Sequence, residues 1–202
     1  MAEEKTLTKR QQQALATRRR IQDKAMELIR ERGYENITIS DICGAAGVSN
    51  GNFYHYFSSK DDVLLFCFES FDKDLEEEFS QRSFDSWLDA LRAVIYRQTN
   101  GADIVGAALE ARIFQAQLNT HGGYVVVEDR FFPQYVKELL SRAAEAGEIH
   151  PSHNVEEAAQ IILQTSRGIL FDWSLRKGSF DVCVQAQKTL DLFLSALKHP
   201  KE

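Results

Sequence analysis

The chain of 202 residues has only three prolines and three cysteines, and both shortages carry meaning. Pro133, Pro151 and Pro200 leave long stretches free of the residue that breaks a helix outright. Cys43, Cys67 and Cys183 are odd in number and far apart, so neither a disulfide framework nor a Cys-x-x-Cys metal site fits them; a reducing compartment is expected. No apolar run approaches the roughly 18 residues of a membrane-spanning helix, so no membrane partner is expected. The opening residues are polar and acidic with no apolar leader core, which points to the cytoplasm. P-loop, Gly-x-Ser-x-Gly and His-Glu-x-x-His patterns are missing, and no His pairs with Cys, Asp or Glu at ligand spacing. Catalysis, a metal and a cofactor are therefore not expected.

Charge is unevenly spread. The whole chain carries a formal −6, yet residues 1–60 hold ten Lys or Arg against seven Asp or Glu, and residues 61–202 hold fourteen against twenty-three. A +3 head on a −9 body suggests modules with different partners. Residues 1–15 are expected to be a basic flexible arm, suited to a polyanionic partner through counterion release.

Strand-like alternation is almost absent, with Val125-Val126-Val127 the one β-branched cluster, so the chain reads as all-α. Ile21, Ala25, Leu28 and Ile29 follow the i, i+4, i+7, i+8 spacing of an amphipathic helix that Gly33 ends. Short helices follow from about Ser40 to Gly47 and from Asn50 to Phe57. Longer ones are expected near 60–80, 83–99, 102–118, 124–146, 155–175 and 180–197. The architecture expected is a three-helix head (16–60) with a body of about six helices (61–202).

Two short helices joined by a turn at Gly47 match a helix-turn-helix, whose second helix enters the major groove of DNA. Ala45 and Ala46 allow close approach, and Gly47 can take the positive φ such a turn needs. Ser49, Asn50, Gly51 and Asn52 open the second helix, where base edges are read. Thr38, Tyr54, His55 and Lys60 are placed to hold phosphate oxygens. For Tyr54 and Tyr56 the alternative is ordinary packing.

The stretch Gly47-Val-Ser-Asn-Gly-Asn-Phe-Tyr-His-Tyr-Phe-Ser-Ser-Lys60, with Ile39-Ser-Asp-Ile42 before it and Val63-Leu64 after it, resembles the tetracycline-repressor-like (TetR) family of bacterial transcription regulators. Arg18-Arg-Arg-Ile21 and Arg32-Gly33-Tyr34 are similar to the flanks of that family's first helix, so the likeness covers about residues 15–68. Family members frequently have His-Phe where this chain has Tyr56-Phe57, with His55 alongside. The resemblance implies a DNA-binding head on an all-α body that dimerises and often binds a small molecule. The expected activity is sequence-specific transcription regulation, a repressor released from double-stranded, palindromic operator DNA by an unidentified small-molecule effector. The alternative is a regulator that ignores ligands or answers to a protein partner.

Within the body, the last two long helices are expected to pair with their copies as a homodimer through Ile162, Ile169, Leu170, Leu190, Phe193, Leu194 and Leu197. The rival is that both helices cap the monomer's own core. Trp87, Tyr96, Phe114, Gln117, Phe131, Tyr135 and Trp173 are expected to line an effector cavity, against the rival of plain core packing.

Overall fold

The computed structural model describes residues 8–120 and 123–200. Among these residues the chain forms ten α-helices and one 3-10 turn, and no strand. It divides into two compact units between Cys67 and Phe68, one helix beyond the charge break at Lys60.

The first unit begins with α1 (Lys9–Arg32). Thr8 and Gln11 form a capping box there, with the Thr8 hydroxyl accepting from the Gln11 N–H and the Gln11 carbonyl accepting from the Thr8 N–H. The segment expected as a flexible arm is thus helical from Lys9 onward, and residues 1–7 lie outside the described ones. Gly33 ends α1 at φ 81°, a 3-10 turn spans Tyr34–Asn36, and α2 (Ile39–Ala46) starts one residue earlier than Ser40 because Thr38 and Asp41 make a second capping box.

Gly47 closes α2 in the left-handed region at φ 63°, ψ 41°. The chain then enters α3 (Asn50–Tyr56), capped by the Ser49 hydroxyl, and α4 (Lys60–Leu65), capped by Ser59. Ile21, Ala25, Ile42, Phe53, Phe57 and Leu64 form the buried centre of this unit, while Val48 is half-buried. The Arg18 guanidinium lies 4.0 Å from the Phe66 ring centroid and 5.4 Å from that of Phe57, a cation over two aromatic faces.

The expected single helix over 60–80 is interrupted at Phe66, where the N–H is shared between the Asp62 and Leu64 carbonyls. It resumes as α5 (Cys67–Phe79). The second unit continues through α6 (Trp87–Val105), α7 (Ala107–Asn119), α8 (Phe131–Glu145), α9 (Val155–Leu175) and α10 (Val182–Leu197). Leu75, Leu91, Val94, Val136, Leu140 and Leu194 are fully buried at its centre.

Two expected boundaries move. α6 runs through Asn100-Gly101 because Thr99 turns its hydroxyl back onto the Ile95 and Tyr96 carbonyls, and Gly106 at φ 89° makes the real break. Residues 124–130 are turn rather than helix, with Pro133 in the first turn of α8, where its missing N–H costs nothing. α7 and α9 pack antiparallel: a Cβ on Gly178, just past α9, would meet the Cβ of Ala107 at 3.4 Å, and the rings of Phe114 and Phe171 lie 5.4 Å apart.

A Cβ on Gly47 would meet nothing within 4 Å, so only its backbone conformation resists substitution. Gly47→Ala is expected to lower stability by about 1 kcal/mol, a drop of roughly 2–4 °C in a chain of this size, measured by thermal unfolding.

Candidate nucleic-acid interface

α3 presents one face to its unit and the other to solvent. Phe53 and Phe57 are sunk in the core with rings 5.8 Å apart, whereas Asn50, Gly51, Asn52, Tyr54 and His55 are exposed. Tyr54 stands edge-on to Phe53 at 5.5 Å, so its ring is braced while its hydroxyl is free to reach outward. His55 is likewise set edge-on to the half-buried Tyr56 at 5.0 Å.

Three expected DNA contacts have structural work of their own. The Thr38 hydroxyl accepts from the Asp41 N–H at 3.2 Å and donates to the Asp41 carboxylate at 2.6 Å, which holds that carboxyl below its ordinary range. The Ser49 hydroxyl accepts from the Asn52 N–H at 3.1 Å and keeps its own proton to donate. Lys60 departs furthest from expectation. Its ammonium is turned inward, donating to the Tyr34 and Ile37 carbonyls at 2.7 and 2.8 Å and lying 4.0 Å from the Tyr34 ring centroid. The carbonyls left open by the 3-10 turn outcompete solvent for it, and one N–H of three remains. Tyr34 in turn donates its hydroxyl to Asp61.

The expected effector-lining residues do not converge. Trp87 is 37% exposed beneath the Arg142 guanidinium, and Tyr96 is 49% exposed. Phe131 and Tyr135 stack on each other at 5.1 Å on α8, with Tyr135 edge-on to Phe79, so they serve the packing of α8 on α5. Only Phe114, Gln117 and Trp173 share the α7–α9 side of the body, where Trp173 donates its indole N–H to the Phe180 carbonyl at 2.9 Å.

On that same α7, Glu110 has no side-chain hydrogen bond among the described residues, and burial pushes its carboxyl up to about 7. A buried ion pair lies beyond: Arg130 forks onto Asp72 at 2.7 and 2.8 Å and donates to the Phe68 and Tyr124 carbonyls.

The expected dimer residues are corrected by burial. Ile162, Leu170, Leu190, Leu194 and Leu197 face their own unit's core, because α7 and α8 cover the stripe on α9 and α6 covers the one on α10. Ile169 and Phe193 are half-buried. With Ile95, Thr165, Thr189 and Leu192 they line an open, mostly apolar groove of about 350 Å³. The outward large apolar residues are Ile161, Phe171 and Leu175 on α9 and Val184 and Leu192 on α10, with Leu192 76% exposed. A Cβ on Gly168 would meet nothing, so that stretch of α9 faces open space.

Residues 21–66, the helix-turn-helix with its flanks, match the family model described as bacterial regulatory proteins, tetR family. The likeness to that family therefore lies in the head, over its helix-turn-helix and flanks. The chain is 24% identical over 189 residues to the fatty acid metabolism regulator protein of Bacillus subtilis, spanning 87% of this chain and 92% of that one. It is 25% identical to the transcriptional repressor KstR2 of Rhodococcus jostii over 88% and 89% of the two chains. Among solved structures, Thermus thermophilus FadR, a TetR-family repressor in complex with lauroyl-CoA, aligns with a TM-score of 0.66 at 22% identity, over 92% of this chain and 97% of that one. FadR of Bacillus subtilis, in complex with stearoyl-CoA, aligns with a TM-score of 0.57 at 23% identity, over 88% and 97%.

The local motif led to the exposed α3 residues but missed Arg18, Lys60's inward partners and the Asp72–Arg130 pair. Only a long-range pairing places those charges, and Asp72 and Arg130 stand 58 positions apart. Glu110 gives a check on the body. Its folded pKa is raised, so its contribution to stability is complete below the unfolded value and is lost as pH rises through about 7. Glu110→Gln should therefore melt a few degrees higher than the natural chain at about pH 8, with the difference vanishing toward about pH 4.5, in thermal unfolding at both.

Proposed function

We propose that the chain is a tetR-family regulator, a homodimeric repressor that leaves a palindromic operator when a small molecule binds its body. The observation that carries the reading is the solvent-facing side of α3, with Asn50, Gly51, Asn52, Tyr54 and His55 exposed on a helix anchored by Phe53 and Phe57. An asparagine amide offers a donor and an acceptor together, the pair that adenine presents in the major groove. Gly51 lets the backbone come close, and Ser49 has a proton left for the same edge or an adjacent phosphate. Tyr54 and His55 hold phosphate oxygens, and so does the remaining N–H of Lys60.

Two copies join through the outward faces of α9 and α10, where Ile161 and Leu192 would find apolar cover. A two-fold dimer reads two half-sites roughly 34–36 Å apart, or a multiple of that. The acyl-CoA esters held by the two FadR structures support control by a small molecule. The effector acts as a population shift, favouring the state whose heads no longer match the half-sites.

Selection of bound fragments from genomic DNA, followed by mobility-shift titration, tests the reading. Asn52→Ala should relax sequence preference, whereas Tyr54→Phe should weaken every sequence alike by roughly fivefold. No enrichment of a palindrome, or identical behaviour of both variants, would sink it. For the dimer, Leu192→Glu should give a folded monomer in sedimentation velocity, while Leu194→Glu, which buries a charge in the core, should unfold the body. A Leu192→Glu chain that stays dimeric places the interface elsewhere.

A further inference from the structure

The interior of the body holds hydrogen-bond donors that nothing among the described residues answers. Gln117 on α7 is 4% exposed. Its Oε1 accepts the Tyr124 and Val125 N–H groups at 3.3 and 3.2 Å, which fixes the orientation of the amide, and its buried Nε2 has no partner among the described residues. Arg167 on α9 is half-buried, and among the described residues its guanidinium has neither a hydrogen bond nor an ion pair. Burial destabilises its charge, and the neighbouring charge that bears on it is the like charge of Arg130.

These groups share one neighbourhood. The antiparallel register sets Ala107 against Gly178 and Phe114 against Phe171, so the next turn brings Gln117 level with Gly168 and Arg167. Gln117 and Arg130 meet on a single residue, Tyr124, whose N–H goes to Gln117 and whose carbonyl accepts from Arg130. Arg130 is satisfied by Asp72 and two carbonyls, which leaves the second guanidinium uncompensated. The apolar flank is aromatic, with Phe114 edge-on to Phe171 and Phe68 stacked on Tyr124 at 6.2 Å.

The two orphans at this level, Gln117 Nε2 and the Arg167 guanidinium, are both donors, and among the described residues that guanidinium's positive charge is unanswered. We infer that Gln117 and Arg167, beside Arg130, form the anchor for the oxyanion of the effector, a carboxylate or phosphate head on an apolar body. This rests on the proposed control by a small molecule and names the chemistry of that molecule. A neutral ligand would leave the guanidinium unpaired, while an oxyanion takes donors from both helices at once. It also competes with Asp72 for Arg130, and so acts on α5.

The test uses the full chain without DNA, titrated calorimetrically with laurate, dodecyl phosphate and dodecanol. At least one of the two oxyanions should bind about tenfold or more tightly than dodecanol, and the stronger of them identifies the head that fits. Arg167→Met should weaken that oxyanion by roughly 10–100-fold and leave dodecanol unchanged. With no ligand present, it should melt no lower than the natural chain, since it removes an unanswered charge. Equal affinity for dodecanol, no binding by any probe, or an Arg167→Met chain that binds the oxyanion normally or melts lower overturns the assignment. The same probes in an operator mobility shift separate the two readings. Oxyanion binding through Arg167 without DNA release defeats the effector role and leaves the site standing. Release that Arg167→Met does not alter defeats the site and leaves the effector role standing.

Discussion

A guanidinium taken out of water has to be answered, and the body is organised around how Arg130 is. Its fork on Asp72 joins two side chains only 13% and 11% exposed, and losing either partner would strand a charge at a cost of about 3–5 kcal/mol. The same pair ties α5 to the segment before α8, because the Phe132 N–H also reaches Asp72 while Arg130 takes the Phe68 and Tyr124 carbonyls. Residues 124–130 are turned out of helix for this reason. Their N–H and carbonyl groups are claimed sideways, by Gln117 and Arg130, before an i to i−4 ladder can use them. Arg167 then bears the consequence, since the charge that bears on it is the like charge of Arg130, whose own acid is already committed.

The head solves its local problems with short-range hydrogen bonds. Thr38, Ser49 and Ser59 each satisfy an N–H at the start of a helix, and Gly47 turns the chain at a point where a Cβ would strain it. That economy limits what is left for a partner. The Thr38 hydroxyl is fully spent, Ser49 half spent, and Lys60 has given two donors to the chain's own carbonyls. What α3 can offer without loss of stability is therefore Asn50, Asn52, Tyr54 and His55.

Legibility in the sequence followed the range of the forces. The helix-turn-helix was readable because its determinants lie within a few residues of one another, from Thr38 and Asp41 to Gly47 and Ser49. The stripe Leu190, Leu194, Leu197 was equally visible, but a stripe does not say which surface covers it. Here α6 and α9 cover it, and the outward side of α10 shows only the scattered Val184, Leu192 and Ala196. Aromatic residues misled for a related reason. Tyr135 and Phe131 are explained by each other and by Phe79, a pairing that no spacing along the chain reveals.

Net charge behaves the same way. With the unit boundary at Cys67 in place of Lys60, the head's excess falls from +3 to +1, because Asp61 and Asp62 join it. A count so small would not draw the head to DNA. Yet its acids are not free charges: Asp41 serves Thr38, Asp61 serves Tyr34, and Asp62 accepts from the N–H and hydroxyl of Ser58. Spent inside helix caps, they stand close to the backbone N–H groups that offset them. Arg20, Arg30 and Arg32 meanwhile remain exposed on α1. The reverse holds in the body, acidic as a whole yet carrying one uncompensated guanidinium within. Screening confines an exposed charge to about 10 Å, so an anion close to Arg167 responds mainly to those local donors, and the overall sign of the body decides little.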